Sequence, residues 1–472
     1  MRIRAAILCA TFLGATFQAG AAAPFAAWAE PPTADTAKAE AREIYKKVVE
    51  LDTSVEGKKT PEMANWLAGK FKAAGFAAAD VNVIPMGETA ALVVRYRGDG
   101  SGGKPILFIG HMDVVTAHKS DWTRDPFALI EEGGYFYGRG SYDNKSGVTG
   151  LSATFLRLKR EGFKPKRDMV LVFSGDEETS GVTTKTLIAK HRDLIDAEFA
   201  LNSDAGQGSL DEKTGKPTSY SMQTAEKTFG SFALTAHNPG GHSSQPRKDN
   251  AIFDIVDALS RIRAYQFPVQ WNDTTIASLK AGGAADKTAL GKAMTAFAAK
   301  PGDAVAAKAL SDSPFTVGQI RTTCIPTLLQ AGHADNALPQ SATATINCRI
   351  FPGVTIATVQ AQLQKLAGKA IEIKPLDEYS SSDASPLRPD VVAAVKAAVA
   401  AIHPGVPVTP GMSAGATDGV FYRAAGIPTY GVGEVFMKDS DDFAHGLNER
   451  MPVKTFYEGL IYWDTLVRKI AG

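Results

Sequence analysis

The sequence predicts an α/β protein in which a mostly parallel sheet is interrupted by an inserted βαββαβ unit. Short, continuously apolar segments such as residues 105–109 and 169–173 alternate with helical segments such as residues 145–160. This pattern is typical of a parallel sheet that is covered on both faces. After Gln223, apolar and polar residues alternate, as in strands with one exposed face. The chain has 472 residues, more than one compact core usually holds, so we expect about two domains.

The first 29 residues have the pattern of a secretory signal peptide. Arg2 and Arg4 form a short basic start, residues 5–23 are apolar and contain no acid, and Ala-Trp-Ala at 27–29 fits a small-x-small cleavage site. A membrane anchor is the alternative, but its glycines and many alanines make the span only weakly apolar. We therefore expect a protein that is exported, periplasmic or secreted, without a stable membrane anchor.

Residues 30–225 form the first part of the larger predicted domain. Thr60 and Pro61 favour the start of a helix, because a hydroxyl caps the backbone and proline suits the first turn. Gly75 ends that helix. Apolar runs and helical spacing predict the remaining elements. They are strands at residues 81–84, 92–96, 105–109, 169–173 and 197–201, and a second helix at residues 145–160.

Residues 226–380 form a second predicted domain, inserted into the first. Its pattern is strand, helix, strand, strand, helix, strand, a ferredoxin-like antiparallel sheet with helices on one face. An alanine-rich helical excursion at about residues 271–313 lies inside it. The larger domain resumes at residues 381–472, with a helix near 390–402 and a strand near 428–432. The elements of the inserted unit are strands 229–236, 322–330, 342–351 and 371–374, and helices 250–263 and 355–366.

The charge balance gives no electrostatic case for nucleic acid. The chain has 51 Lys and Arg and 50 Asp and Glu, for a net charge of +1 at pH 7. Removal of residues 1–29 takes two arginines and no acids, and leaves 49 basic residues against 50 acidic ones. We expect no nucleic-acid partner and no attraction to a charged membrane.

Histidine and carboxylate side chains follow several predicted strands. His111, the pair Glu177 and Glu178, and Asp204 lie just beyond strand ends, and His445 follows the last strand after a longer loop. Because ligands bind outside the carboxyl ends of parallel strands, we expect these side chains to converge on one pocket. Imidazole and carboxylate without thiolate suit zinc, and also cobalt or manganese. A lone histidine is usually a surface or core residue, so the argument rests on the set.

The residue types allow two metal ions and a base. Two histidines, two terminal carboxylates and one shared carboxylate can hold two ions about 3.5–4 Å apart. Glu178, the second glutamate of its pair, is then a ligand, and Glu177 is free to act as the general base that activates the attacking water. Asp113 follows His111 by two residues on the same side of an extended segment, where it can orient the imidazole.

Five longer motifs surround these residues. They are Gly-His-Met-Asp-Val-Val at 110–115, Tyr-Gly-Arg-Gly at 137–140 leading into Asp-Asn-Lys at 143–145, Ser-Gly-Asp-Glu-Glu at 174–178, Gly-Gly-His-Ser-Ser at 240–244 and Ala-His-Gly-Leu-Asn-Glu at 444–449. Together they resemble the di-zinc metallopeptidase superfamily of carboxypeptidase G, aminoacylase, succinyl-diaminopimelate desuccinylase and secreted carboxypeptidase S. The resemblance runs from about Lys46 to Lys469. It implies a phosphorylase/hydrolase-like catalytic domain with an inserted lid, and the long lid looks more like the carboxypeptidase S and N-acyl amino acid hydrolase branch.

The resemblance implies two zinc ions and a role for each polar residue. It implies a cis peptide bond between Asp143 and Asn144. His242, in the inserted lid, would polarise the scissile carbonyl in an oxyanion-type role; a plain surface histidine is the alternative. The other implied assignments are His111 and Asp204 on one zinc, Glu178 and His445 on the other, Asp143 bridging both, Glu177 as the base and Asp113 as the support of His111.

The same resemblance implies how the substrate is held. Arg349 resembles the family arginine that grips the free carboxylate of the substrate, for which a guanidinium is a natural bidentate partner. Asn336 resembles the lid asparagine near the substrate, and Gly415 and Thr417 match the loop near the carboxylate. The alternatives are a surface arginine at a strand end and an ordinary turn residue. Family lids often mediate dimers, and in some members the lid histidine serves the partner's site, so a homodimer through the lid is implied.

Two of the three cysteines predict a disulfide. Cys9 leaves with the signal peptide, whereas Cys324 and Cys348 remain in a compartment that tolerates disulfides. Both cysteines are equally distant from Asn336, the centre of the loop between two predicted lid strands. A symmetric hairpin would set them opposite each other, close enough to react. Two buried free thiols are the alternative.

Two other classes of protein stay open. Gly-Met-Ser-Ala-Gly at 411–415 fits a nucleophile elbow, and Ser413 with a following aspartate and His445 would give the order of a serine α/β-hydrolase. That alternative explains none of the acids at the strand ends. A non-catalytic binding protein on the same scaffold would lack the base or a ligand, but each expected position is filled.

The sequence therefore predicts an exported, two-metal peptidase or amidohydrolase that cleaves an amide bond next to a free carboxylate. The substrate would be a dipeptide, the C-terminal residue of a peptide or an N-acyl amino acid. The residue pattern does not choose among these three.

Overall fold

The structure is a computed structural model that describes residues 34–472, and its largest feature is a ten-stranded mixed sheet. The predicted signal peptide, residues 1–29, lies outside the described residues. In spatial order the strands are Val81–Met86, Thr89–Tyr96, Met169–Ser174, Ile106–His111, Phe199–Asn202, Thr429–Gly431, Pro217–Glu226, Gln207–Leu210 and Phe436–Met437, with Val408–Ser413 beside Pro217–Glu226.

The centre of this sheet is parallel. Ile106–His111 runs parallel to Met169–Ser174 on one side and to Phe199–Asn202 on the other. Thr429–Gly431 continues the parallel order beyond Phe199–Asn202. Antiparallel pairs flank this centre on both sides. The predicted fold class, α/β with a large, mostly parallel sheet, is confirmed.

Apolar side chains cover both faces of the large sheet. Successive residues of a strand point to opposite faces, so Phe108 packs in one core cluster with Phe155 and Trp463, while Ile109 packs in another with Leu187. This two-sided burial is why the central strands are continuously apolar in sequence. The helices of this part of the molecule are Ala34–Val49, Thr60–Ala73, Lys145–Arg160, Val182–Lys190, Arg192–Ile195, Pro389–Ile402, Gly419–Ala424 and Val453–Ala471.

A second, four-stranded antiparallel sheet lies between residues 228 and 375, and we call it, with its two helices, the small sheet unit. Apolar residues alternate along its strands, and one face packs against the helices through Phe232, Ile255, Ile346 and Leu363. In spatial order its strands are Thr323–Ala331, Ser341–Ile350, Thr228–His237 and Ile371–Pro375, and its helices are Ala251–Ala264 and Ile356–Ala367.

The alanine-rich excursion inside this unit is helical. It consists of four helices, Asp273–Ala285, Ala289–Ala299, Ala304–Asp312 and Val317–Ile320, around a core of their own that includes Leu279, Phe297 and Leu310. The first of these helices packs against the strand Val408–Ser413 of the large sheet. The four helices of the excursion therefore connect the small sheet unit to the large sheet.

One strand of the large sheet leads directly into the small sheet unit and was not among the predicted elements. Pro217–Glu226 pairs within the large sheet, and after the single residue Lys227 the chain continues as Thr228–His237 in the small sheet unit. The first part of this strand carries mostly polar residues, so its sequence lacks the apolar run of a buried strand.

The predicted disulfide is confirmed. Cys324 and Cys348 are directly opposite in the antiparallel pairing of Thr323–Ala331 with Ser341–Ile350, and their sulfur atoms are bonded. Cys348 is fully buried, so the bridge joins the edge strand to the core of the small sheet unit. Within residues 34–472, no helix is both long enough and apolar enough to cross a membrane.

Candidate metal centre

Three neighbouring parallel strands end at one cavity of about 540 Å³. His111 is the last residue of its strand, the turn with Glu177 and Glu178 follows Ser174, and Asp204 follows shortly after Asn202. These side chains come together because parallel strands share one carboxyl edge. The predicted site residues that line the cavity are Asp143, Glu177, Glu178, Asp204, His445, Gly415 and Thr417.

Asp143 lies between the two predicted histidine ligands. One carboxylate oxygen, Oδ1, is 3.0 Å from His111 Nε2, and the other, Oδ2, is 3.1 Å from His445 Nε2. The peptide bond between Asp143 and Asn144 is cis, as the resemblance implied. The carboxylate of Asp143 therefore contacts both histidines, one through each oxygen.

Glu178 and Asp204 complete the two sides of this arrangement. Glu178 Oε1 is 3.0 Å from His445 Nε2, and Asp204 Oδ1 is 3.3 Å from His111 Nε2. Two groups of three side chains share His111, and within each group the ligand atoms lie within 4.8 Å of one another. One group is His111 with Glu177 and Asp204, and the other is His111 with Asp143 and Glu178. Glu177 therefore lies near enough to reach the same centre.

Electrostatics shows how crowded these groups are. Burial raises the pKa of Asp204 to about 7, and burial followed by repulsion from Asp204 raises the pKa of Glu177 well above its ordinary value. Burial also opposes ionisation of Asp143, but hydrogen bonds with His111 and His445 hold its pKa below the usual range. Hydrogen bonds with Asp143 and Glu178 raise the pKa of His445 to about 10.

This donor set fits divalent cations. Buried carboxylates in direct contact are unfavourable unless cations compensate them. The donors are imidazole nitrogens and carboxylate oxygens, and none is a thiolate, which suits zinc, cobalt or manganese. His111 is 1% exposed and its Nδ1 is 3.1 Å from the carbonyl oxygen of Asp113, so its Nε2 is directed to the carboxylates.

Asp113 has a second contact that sequence reasoning did not foresee. Its carboxylate is 3.5 Å from His111 Nδ1, and it also accepts the backbone N–H groups of Glu177 at 3.1 Å and Glu178 at 3.0 Å. One buried carboxylate thus positions both an imidazole and the turn that carries the predicted base and ligand.

Glu449 and Arg139 belong to two of the sequence motifs without a predicted role, yet they hold the segment that carries Asp143. Glu449 Oε1 accepts the backbone N–H groups of Tyr142 at 2.9 Å and Asp143 at 3.0 Å, and Oε2 accepts that of Gly140 at 3.0 Å. Arg139 donates to Oε2 at 2.7 Å. The short strand Arg450–Pro452 pairs with Tyr135–Tyr137, which brings Glu449 to this loop.

Of the predicted carboxylate-binding residues, Gly415 and Thr417 line the cavity, and Arg349 contacts the same loop from outside the lining. Thr417 lines the cavity, and its backbone N–H donates to Glu226 at 3.1 Å, while Glu226 forms a buried ion pair with Arg423. Arg349 is half-buried and donates to the carbonyl oxygen of Ala414 at 2.6 Å, in the same loop. The structure therefore brings Arg349 next to the Gly415–Thr417 loop.

His242 and Asn336 lie elsewhere. The two-residue strand Gly241–His242 pairs with Ala337–Leu338, so His242 and Asn336 are near each other on the small sheet unit. Both are exposed, and neither is among the described residues that line the cavity. His242 Nδ1 accepts the backbone N–H of Ser244 at 3.2 Å, which leaves its Nε2 accessible.

Ser413 lines the cavity but is not set up as a nucleophile. It ends the strand Val408–Ser413, and its hydroxyl donates to Gly415 O at 2.9 Å and accepts from Gln223 Nε2 at 2.9 Å. His445 Nε2 contacts Asp143 and Glu178 instead. The arrangement of a serine α/β-hydrolase, in which the histidine contacts the serine hydroxyl, is not formed.

The chain is similar in sequence to several known enzymes. Residues 107–469 match the model of peptidase family M20/M25/M40. The N-fatty-acyl-amino acid synthase/hydrolase PM20D1 of Xenopus tropicalis is 28% identical over 375 residues, which cover 76% of this chain and 70% of that protein. A carboxypeptidase S-like protein of Dictyostelium discoideum is 26% identical over 396 residues, 80% of this chain and 74% of that one.

Solved structures share the fold. The M20 family metallo-carboxypeptidase Sso-CP2 of Sulfolobus solfataricus superposes with a TM-score of 0.68 at 19% identity, and the match covers 91% of this chain and 99% of that chain.

Proposed function

The chain belongs to peptidase family M20/M25/M40 and is a hydrolase of the metallopeptidase and aminoacylase type, and from that premise we propose that it is an exported enzyme with two metal ions that cleaves an amide bond next to a free carboxylate. One observation carries the proposal. Asp143 presents Oδ1 to His111 at 3.0 Å and Oδ2 to His445 at 3.1 Å, so one carboxylate is placed to serve two adjacent ions.

Each of the two ions would have its own terminal ligands. His111 and Asp204 would hold one ion, and Glu178 and His445 would hold the other, with Asp143 shared between them. When bound, two divalent ions, zinc by preference and cobalt or manganese as substitutes, supply Lewis-acid chemistry that polarises the scissile carbonyl and makes water more acidic.

Glu177 is the base of the reaction. It lines the cavity next to the ligand Glu178, and its backbone N–H is held by Asp113. The carboxylate takes a proton from the attacking water as the new C–O bond forms. It then passes this proton to the nitrogen of the leaving amine as the C–N bond breaks.

The free carboxylate of the substrate binds near Arg349 and the Gly415–Thr417 loop. Arg349 already reaches this loop through Ala414 O, and the backbone of Thr417 is held by the buried Glu226. A guanidinium beside a polar loop suits bidentate recognition of a carboxylate.

His242 and Asn336 act on the substrate from a second copy of the chain. Both are exposed on the small sheet unit and, among the described residues, neither lines the cavity of its own chain. The edge strand Thr323–Ala331 exposes Ile325, Leu328 and Leu329, by 64%, 61% and 56%. An exposed apolar edge strand favours pairing with another chain, which supports a homodimer through this unit.

Export is proposed on two grounds. Residues 1–29 have the pattern of a signal peptide. The Cys324–Cys348 bridge is the kind of bond that persists in oxidising compartments. Determination of the N-terminus of the protein recovered from the periplasm or medium tests this, and a retained Met1 in the cytoplasm would contradict it.

Metal content and hydrolysis, measured together, test the proposed activity. We expect about two zinc equivalents per chain by elemental analysis, and hydrolysis of dipeptides or N-acyl amino acids that stops with chelator and returns with zinc. A serine-directed phosphonate should have no effect. Turnover that resists the chelator in metal-free protein would overturn the metal assignment and return Ser413 to consideration.

A further inference from the structure

One carboxylate that lines the cavity has no role in the proposed metal centre. Five carboxylate residues line the cavity: Asp143, Glu177, Glu178, Asp204 and Asp442. The first four are the proposed ligands and the base. In the part of the chain that the structure describes, no lysine or arginine lines this cavity.

Asp442 differs from its neighbour in the chain. Asp441 is buried and paired with Arg450 at 2.6 Å, and it accepts a hydrogen bond from Tyr135 at 3.0 Å. Asp442 is exposed, and within residues 34–472 no cationic side chain lies in ion-pair contact with it. Its carboxylate accepts the backbone N–H of Ala444 at 3.3 Å, which leaves most of its lone pairs free.

The cavity that Asp442 lines offers further hydrogen-bond acceptors. Tyr142 and Gln207 line the same cavity, and the Tyr142 hydroxyl donates to Gln207 Oε1, which leaves the phenolic oxygen free to accept. A cavity that offers both a carboxylate and a phenolic oxygen suits an ammonium group, which has three donors and no acceptor.

We propose that Asp442 binds the free α-ammonium group of a peptide substrate, and that this contact makes the enzyme prefer peptides with a free amino terminus over N-acyl amino acids. The inference rests on the proposed function, in which the carboxylate of the same substrate binds near Arg349. Asp442 lines the cavity, and Arg349 contacts Ala414, the residue before Gly415 in the cavity lining, so a dipeptide would place one charged end at each. An N-acyl amino acid leaves Asp442 without a partner.

The test uses a substrate pair that differs only in the ammonium group. Propionyl-leucine is alanyl-leucine with the amino group replaced by hydrogen. For the zinc-loaded wild type, we expect kcat/KM for alanyl-leucine to exceed that for propionyl-leucine by roughly ten- to a hundredfold, the range for a charge-assisted hydrogen bond. Asp442→Asn should abolish this ratio by lowering only the alanyl-leucine value.

The matched control is Asp439→Asn. Asp439 is an exposed acid of the same loop, it precedes Asp442 by three residues, and it is not among the described residues that line the cavity. The Asp439→Asn substitution removes the same charge and should leave kcat/KM for both substrates unchanged. An Asp442→Asn enzyme that keeps the wild-type ratio, or that loses both activities equally, would overturn the subsite.

A binding measurement separates the subsite from the proposed reaction. Calorimetric titration of zinc-loaded Glu177→Gln, with and without Asp442→Asn, gives the ratio of the two Kd values without turnover. A ratio that depends on Asp442 supports the subsite even if the wild type hydrolyses neither compound, and that result would sink only the reaction. A ratio near one in both proteins overturns the subsite, whether or not the wild type is active.

Discussion

Arg139 and Glu449 form a buried ion pair, with Nη1 2.7 Å from Oε2, although 310 residues separate them in the chain. Both side chains are nearly inaccessible, at 3% and 1% exposed. The Glu449 carboxylate also accepts hydrogen bonds from the backbone N–H groups of Gly140, Tyr142 and Asp143. The pair therefore positions the loop that presents Asp143 to both histidines.

This relationship predicts the effect of Glu449→Gln. The amide keeps one acceptor oxygen but replaces the other with a donor, which cannot accept the N–H groups it would face. We expect zinc affinity, measured by competition with a chelator, and kcat/KM each to fall about ten- to a hundredfold. Glu131→Gln removes an exposed partner of Arg42 and should change neither value; equal effects of the two variants would contradict this role for Glu449.

Glu177 and Glu178 are adjacent but should respond differently to the same substitution. Glu177→Gln should retain about two zinc ions and lose roughly a hundred- to ten-thousandfold in kcat, the range for general acid–base catalysis. Glu178→Gln should lose activity together with metal, because it removes one of the proposed ligands. Elemental analysis of both purified variants decides the point, since equal metal loss would make Glu177 a ligand and not the base.

Glu434 predicts a pH-dependent stability. It is buried with a hydrogen bond from Trp463 Nε1 at 2.9 Å, and burial raises the pKa of its carboxyl from 4.5 to about 7. The folded state thus binds this proton more tightly than the unfolded state does. The free energy of unfolding should fall as pH rises from about 4.5 to about 7 and then stay level, which amounts to about 3 kcal/mol at most.

Glu434→Gln isolates this contribution from the other titrating groups. The variant cannot ionise, and its amide oxygen can still accept from Trp463. The difference in unfolding free energy, variant minus wild type, should therefore grow between pH 5 and pH 8 in denaturant titrations. A difference that stays constant over this range would show that Glu434 titrates normally.

The Cys324–Cys348 bridge should stabilise the small sheet unit. It joins two residues 24 positions apart in sequence, and bridges across loops of this kind contribute about 2–4 kcal/mol. The double variant Cys324→Ala, Cys348→Ala should unfold at a lower denaturant midpoint than the oxidised wild type. Reductant should lower the midpoint of the wild type to that of the double variant. Without residues 1–29, the unreduced, unfolded chain should have no free thiol, and finding two would contradict the bridge.

The site was partly predictable because some of its geometry is local. His111 ends a buried strand and Glu178 follows another, and strands of that kind lie parallel with their ends at one edge. The disulfide was predictable for a similar reason, because a symmetric hairpin pairs residues at equal distances from its turn. In each case a short segment and one packing rule were enough.

Other features depended on contacts that no local pattern records. Glu449 is an ordinary acid in sequence, and only the pairing of Arg450–Pro452 with Tyr135–Tyr137 brings it to the Asp143 loop. The strand Pro217–Glu226 was missed because its first part is polar in sequence. Asp442 differs from Asp441 only through what surrounds each side chain.

By itself, then, the sequence determined the α/β class, the parallel strands and the histidine and carboxylate residues of the candidate metal centre. The spacing of apolar residues and the chemistry of each side chain can be read directly from the chain. Only the tertiary structure decided which acids are paired with arginine side chains and which face the cavity without such a partner. It also decided that His242 and Asn336 lie on the small sheet unit, away from the cavity of their own chain among the described residues. The physical reason is that pairing over hundreds of residues depends on how whole sheets pack, and a linear pattern does not contain that information.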